Sequence, residues 1–93
     1  MLPNVLRLHP DDSVVTAIRD LAEGEQLCAD GLLPKVSVRQ PIAFGHKVAI
    51  RAIACGEHVI KYGASIGVAV ADISPGEHVH TQNLASVRGD ASR

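Results

Sequence analysis

One short unit recurs along the chain and limits its fold more than any other feature. Leu21-Ala22-Glu23-Gly24-Glu25, Ile53-Ala54-Cys55-Gly56-Glu57 and Ile73-Ser74-Pro75-Gly76-Glu77 each run from an aliphatic residue through two variable positions to Gly-Glu. Leu27, Val59 and Val79 follow two places after the glutamates. Pro75-Gly76 suits the central pair of a type II turn, where proline presets φ and glycine accepts a positive φ. Glu23-Gly24 and Cys55-Gly56 fill the same two places. Each unit therefore predicts a strand end, a tight turn and a new strand starting at the glutamate. The glycines at 24, 56 and 76 are unevenly spaced, which argues against a solenoid of fixed period. Glu25, Glu57 and Glu77 read as solvated turn-edge residues rather than catalytic bases, because charged side chains are mostly exposed.

The segments between the turns agree with an all-β chain. Lys35-Val36-Ser37-Val38-Arg39 alternates with the period of a half-buried strand. Lys47-Val48-Ala49-Ile50 and Val68-Ala69-Val70-Ala71 are short apolar runs, and His58-Val59-Ile60-Lys61-Tyr62 reads as a strand stopped by Gly63. Short strands with Gly/Pro punctuation point to a compact barrel-like or clip-like domain. Val14, Ala17, Ile18, Leu21 and Ala22 also fit helical spacing, with Asp12 or Ser13 as a cap. A strand is the expectation there, since the other copies of the unit are not helix-like. One domain is expected over 1–84, with a frayed tail over 85–93.

Composition removes several classes of function. Ninety-three residues make one domain, and with 46% apolar residues but only Phe44 and Tyr62 aromatic, its core must be aliphatic. Such a core confers modest stability, which docking onto a partner would raise. Net charge is −1 with acids and bases interspersed, and neither a basic stripe nor a stacking platform is present, so nucleic acid is not an expected partner. No apolar run reaches membrane-spanning length. The N-terminus lacks the layout of a secretion signal. Cys28 and Cys55 form no disulfide framework or zinc knuckle. Cytoplasmic location is expected.

Three polar clusters stand out from the aliphatic background: Gly45-His46-Lys47, Ile60-Lys61-Tyr62-Gly63, and Gly76-Glu77-His78-Val79-His80-Thr81-Gln82-Asn83. His78 and His80 are two apart, so on a strand both imidazoles project from one face. That arrangement suits two ligands of one metal, or a ligand and a proton donor. A metal would need a further carboxylate, imidazole, or oxygen from a substrate or partner. Lys61 can pair with a carboxylate as a point charge. Tyr62 fits a core ring with its hydroxyl at the rim. His46-Lys47 forms a positive turn suited to an anion, while His9 and His58 read as surface or packing residues. The inventory offers cations and imidazoles but no nucleophile triad, phosphate loop or converging carboxylates. Contributing to a shared site is easier for it than complete acid–base chemistry.

The runs Gly45–Ala49, Ile53–Gly63, Ile66-Gly67, Ala71–Ile73, Gly76–Leu84 and the opening Leu8–Val14 resemble the N-terminal domain of altronate and galactarate dehydratases, from about Arg7 to Leu84. Lys61-Tyr62-Gly63 and His78-Val79-His80 carry that resemblance most specifically. It implies a SAF-type domain with a β-clip fold, preceding a larger portion that removes water from a hexonic or hexaric acid. It also implies a divalent cofactor such as Fe²⁺ or Mn²⁺, held mainly by a partner subunit. Some relatives divide the two portions into small and large subunits, the sulfolactate sulfo-lyases among them. The chain ends within ten residues of Asn83, and Gln82 stands where the resembling motif commonly has histidine. The expectation is therefore a small, site-completing subunit of a carbon–oxygen lyase for a sugar acid or hydroxy acid, inactive without its large partner. Lys61, Tyr62, His46 and Lys47 are expected to meet substrate, and His78 and His80 to meet metal. The alternative is a stand-alone SAF module that binds a carbohydrate or anion without catalysis.

Overall fold

Four turns of one kind, rather than three, organise the chain. The computed structural model describes residues 2–29 and 35–86. In each turn the residue after the glycine donates its N–H to a carbonyl three residues back: Glu25 to Ala22, Glu57 to Ala54, Glu77 to Ser74, and His46 to Ala43. The central glycines have φ of 85°, 89°, 87° and, at Gly45, 84°, the value a type II turn requires at its third position. The fourth unit, Ile42-Ala43-Phe44-Gly45-His46, keeps the aliphatic residue and the glycine and replaces only the glutamate.

The units come in pairs. Leu21 exchanges both backbone hydrogen bonds with Ile42, and Ile53 does so with Ile73. A carboxylate braces each pair: Asp20 Oδ1 accepts from the Phe44 N–H and Asp72 Oδ1 from the Cys55 N–H, both at 2.9 Å. Every turn also clasps one small residue elsewhere. The glycine N–H donates to that residue's carbonyl, and the following carbonyl accepts its N–H: Val38 at Gly24-Glu25, Ala17 at Gly45-His46, Ala69 at Gly56-Glu57, and Ala49 at Gly76-Glu77. All four clasped residues are buried. Turn and strand thus satisfy each other's backbone groups, as a domain this small must arrange.

Seven short strands connect the turns: β1 (Val5–Leu6), β2 (Val14–Ala17), β3 (Lys47–Ala49), β4 (His58–Lys61), β5 (Ala64–Ala69), β6 (His78–Val79) and β7 (Leu84–Ala85). They form two antiparallel sheets, ordered β1-β2-β3-β6 and β4-β5-β7. Val14 faces Ala49 and Val15 faces Val48 across β2 and β3. Successive residues of a strand point to opposite faces, and here both faces are dry. Val15, Ala17 and Val48 join Val5, Leu21, Leu27, Val36, Val38 and Ile42 in one core. Val14 and Ala49 join Ile53, Val59, Ala69, Ile73 and Val79 in another. One turn pair sits in each core. The first sheet is a wall between them, so β2 shows no polar alternation.

The expected all-β domain of short strands is what the structure has, consistent with a β-clip, and the described residues contain no helix. Val14–Ala17 is a strand. Asp12 and Ser13 cap no helix. They clamp the β4–β5 hairpin instead, Asp12 Oδ1 accepting from the Gly63 N–H at 2.8 Å and Ser13 Oγ from the Ile60 N–H at 2.9 Å. Val36 and Val38 are buried between exposed Lys35, Ser37 and Arg39, as the alternation predicted.

Tyr62 differs from expectation. It occupies the turn, not the strand, at φ 58° beside Gly63 at 75°, the paired positive values of a type I′ hairpin. The residue is 54% exposed, so it is no core residue. The glutamates are also more than solvated edges: Oε1 of Glu25, Glu57 and Glu77 accepts the N–H of Ala22, Ala54 and Ser74, closing its own turn. Ala85, placed in the tail by sequence, pairs with Val68 in β7. The remainder of the expected tail, 87–93, lies outside the described residues. No disulfide joins Cys28 and Cys55. Among the described residues no helix is long and apolar enough to cross a membrane.

Candidate functional site

The missing glutamate of the fourth turn creates the site. Where three units have a carboxylate folded back onto the turn, His46 has an imidazole that reaches outward to the edge strand β6. Its backbone still follows the common pattern, its carbonyl accepting the Ala17 N–H at 2.9 Å. Its Nδ1 lies 2.9 Å from His78 Nε2. His80 completes the group, with ring centroids 5.1 Å from His46 and 5.6 Å from His78. One ring nitrogen from each of His46, His78 and His80 falls within 4.8 Å of the other two.

Side-chain amides, one of them buried, hold His78 in β6 and His80 just beyond it. Asn83, 3% exposed, accepts from the His80 N–H through Oδ1 at 3.0 Å and donates to the His78 carbonyl through Nδ2 at 2.8 Å. The N–H groups of Asn83 and Leu84 both donate to the His80 carbonyl. Gln40 Oε1 accepts the His78 N–H at 3.3 Å. Gln82 Nε2 lies 3.3 Å from His78 Nδ1 and 3.3 Å from the His78 carbonyl. An amide nitrogen only donates, so in this arrangement His78 accepts at Nδ1 and carries its proton on Nε2, directed at His46 Nδ1. The His78 pKa is lowered, first by burial and then by His46, His80 and Lys47. Neutral imidazole, the form that can ligate a metal, is thereby favoured.

Lys47 lies on the other side of the same strand. It follows His46 directly and pairs across β2 with Thr16, so the two side chains leave the backbone in opposite directions. Its ammonium pKa is lowered by partial burial and by the charge of Lys61, with Tyr62 acting in the opposite sense. The Lys61 Nζ sits 4.6 Å from the Tyr62 ring centroid, within cation–π range.

The residues singled out from sequence therefore separate into two adjoining groups. His46, His78 and His80 converge at the β3–β6 edge. Lys47 and Lys61 lie within electrostatic reach of each other, with Tyr62 beside them at the β4–β5 hairpin tip. By sequence His46 and Lys47 form a single positive turn, and no third imidazole accompanies His78 and His80. Reading by sequence also misses Asn83 and Gln40 as holding residues. The His58 ring Nδ1 lies 2.7 Å from Ser65 Oγ, and the His9 ring packs against Gly63, which fits surface or packing residues. Unit four was legible had the glutamate not been required: Ile42 and Val48 stand three residues either side of Gly45, as Ile53 and Val59 do around Gly56.

A family model described as the altronate/galactarate dehydratase SAF domain matches residues 3–87. The chain belongs to this family. Among relatives of the SAF domain, altronate dehydratase of Escherichia coli (strain K12) is 47% identical over 85 residues, covering 91% of this chain and 17% of the enzyme. Altronate dehydratase of Bacillus subtilis (strain 168) is 39% identical over 89 residues, or 96% of this chain and 18% of the enzyme. The chain thus spans less than a fifth of those enzymes. The (2R)-sulfolactate sulfo-lyase subunit alpha of Chromohalobacter salexigens differs in scale: 36% identical over 83 residues, the match covers 84% of this chain and 88% of that subunit. A SAF domain of this kind therefore occurs both within a long dehydratase and as nearly the whole of a lyase subunit.

Proposed function

We propose that the chain is the small, site-completing subunit of a two-part hydro-lyase acting on a sugar acid or related hydroxy acid. The observation that carries this reading is the convergence of His46, His78 and His80 without a carboxylate among the described residues, beside the ammonium groups of Lys47 and Lys61. Such a surface can grip an anion and hold a metal; with its imidazoles given to the ion and its ammonium groups to the substrate carboxylate, the base that takes a proton from carbon is assigned to another chain. The similarity in scale to a subunit alpha supports a separate large chain that brings the base.

Each residue has a distinct part in this reading. Lys47 and Lys61 neutralise the substrate carboxylate, Lys47 more strongly for being partly desolvated. The Tyr62 hydroxyl, exposed at the hairpin tip, is placed to orient the polyol. The three imidazoles take part in holding a divalent ion such as Fe²⁺ or Mn²⁺ at the junction with the large chain. That ion would act as a Lewis acid toward the charge that builds on the carboxylate as the proton leaves the adjacent carbon, before the hydroxyl departs as water. Docking of the two chains excludes solvent from the same surface.

Co-expression with a large chain resembling the remaining four-fifths of an altronate dehydratase tests this. The expected result is a co-purifying complex that dehydrates altronate, galactarate or a related acid, with neither chain active alone. Turnover by the purified small chain would overturn it. So would tight binding of these acids by a small chain that captures no large partner, which would mark a stand-alone binding module.

A further inference from the structure

We propose that this chain supplies every protein nitrogen of one transition-metal site, through His46, His78 and His80, and that this all-imidazole set selects borderline ions over hard ones. The inference deepens the reading above by assigning the ion to the small chain rather than to its partner, and it can be tested without the partner.

The geometry fits such an ion. Nitrogens sharing a tetrahedral ion at about 2.0–2.1 Å sit roughly 3.4 Å apart, and the three here are within 4.8 Å of one another. Ring rotations close that difference. The backbones carrying them are held from three directions: by the Gly45 turn at His46, by Asn83 at His78 and His80, and by Gln40 at His78. Pre-positioned ligands lose little entropy on binding an ion. With His80 exposed, a fourth position faces outward, the pattern of three protein ligands plus an exchangeable one that catalytic sites use.

The donor type sets the selectivity. Imidazole suits Fe²⁺, Co²⁺, Ni²⁺ and Zn²⁺, whereas Mg²⁺ and Ca²⁺ want oxygen, and Mn²⁺ is the weakest binder of the first-row series. Gln82 has a positioning part. A metal on His78 Nε2 requires the proton to reside on Nδ1, and Gln82, 3.3 Å away, can turn its amide so that Oε1 accepts it. Metal-bound histidines almost always donate their other N–H in this way.

The full chain, purified without metal, would be titrated with Co²⁺ and followed by visible absorption. The expected result is a one-to-one complex with the intense d–d bands of a four- or five-coordinate site, displaced by Zn²⁺ and untouched by a thousandfold excess of Mg²⁺. His46→Ala, His78→Ala and His80→Ala should each weaken binding more than the ~10–100-fold that a change in a ligand's hydrogen-bond partner causes. Gln82→Leu should fall within that smaller range. His46→Gln serves as a second variant at the turn, with circular dichroism reporting that the sheet persists. Absence of Co²⁺ absorption at millimolar ion, or undiminished binding in both folded His46 variants, would overturn the site. Displacement by Mg²⁺ would overturn the selectivity. A chain that binds Co²⁺ yet captures no large partner keeps the metal site and removes the subunit reading, and the reverse result does the opposite.

Discussion

At the scale of single residues, Asn83 and His46 show how one side chain decides what its neighbours can do. Asn83 is buried, and both ends of its amide are spent on the backbone of the histidines. Asn83→Leu keeps the volume and leaves the His80 N–H and the His78 carbonyl without that partner. The His78 carbonyl keeps Gln82 Nε2 at 3.3 Å, whereas the His80 N–H loses its side-chain acceptor, at a cost of about 1–3 kcal/mol. Urea unfolding should therefore show a loss in that range, and the imidazoles should lose their common orientation. A midpoint equal to wild type would show that Asn83 holds nothing. His46→Glu restores the residue found in the other three turns. Its carboxylate should fold back to the Ala43 N–H, leaving stability unchanged or raised while removing one of the three nitrogens.

At the scale of the turn element, four copies of one conformation sit in different surroundings and should respond differently to the same change. Gly56 has φ 89° and nothing within 4 Å of where a Cβ would stand, whereas at Gly76, φ 87°, a Cβ would meet the Ser37 carbonyl oxygen. Gly56→Ala should cost only the backbone penalty of a positive φ, about 1–2 kcal/mol. Gly76→Ala adds a backbone collision and should exceed it clearly in the same denaturation experiment. Equal losses would mean that Ser37 does not approach the turn.

The turn glutamates make the element pH-sensitive. Glu25 is held below the usual carboxylate range first by the Ala22 N–H and then by Arg19 and Asn4. Glu57 is lowered first by the Ala54 N–H and then by Arg51. A carboxylate with a lowered folded-state pKa binds fewer protons folded than unfolded, so stability rises with pH across that interval. The contribution is complete above the ordinary carboxylate pKa and is lost as pH falls through the lowered values. Thermal melts of the Glu25→Gln, Glu57→Gln double variant should lose less stability than wild type on acidification below about pH 5.

At the scale of the whole molecule, two small aliphatic cores share one wall of sheet. Neither core has the area of an ordinary domain, so ligands bound only by the folded chain should have large effects. Zn²⁺ at about 100 times its dissociation constant should add roughly 2.7 kcal/mol, or about 10–20 °C in melting temperature for a chain of this size. EDTA should reverse the gain, and His80→Ala should abolish it. A melting temperature indifferent to Zn²⁺ would count against a site formed only on folding.

The sequence by itself determined three of the four turns, the strand character between them and the aliphatic core, because these follow from local rules: a positive φ needs glycine, and alternation marks a half-buried strand. It also marked every residue of the two candidate groups as unusual. What it lacked was their partition. His46 and His78 meet only because the β3–β6 pairing sets Val48 opposite His78 and the fourth turn aims His46 at that edge. Lys47 leaves them because it is one residue further along an extended strand. Tyr62 left the core for a turn because the β4–β5 register closes on two residues, Lys61 pairing with Ala64. Contacts between residues distant in the chain depend on strand order and register, and those are decided by packing two cores against one wall, a property of the assembled fold that no local window contains.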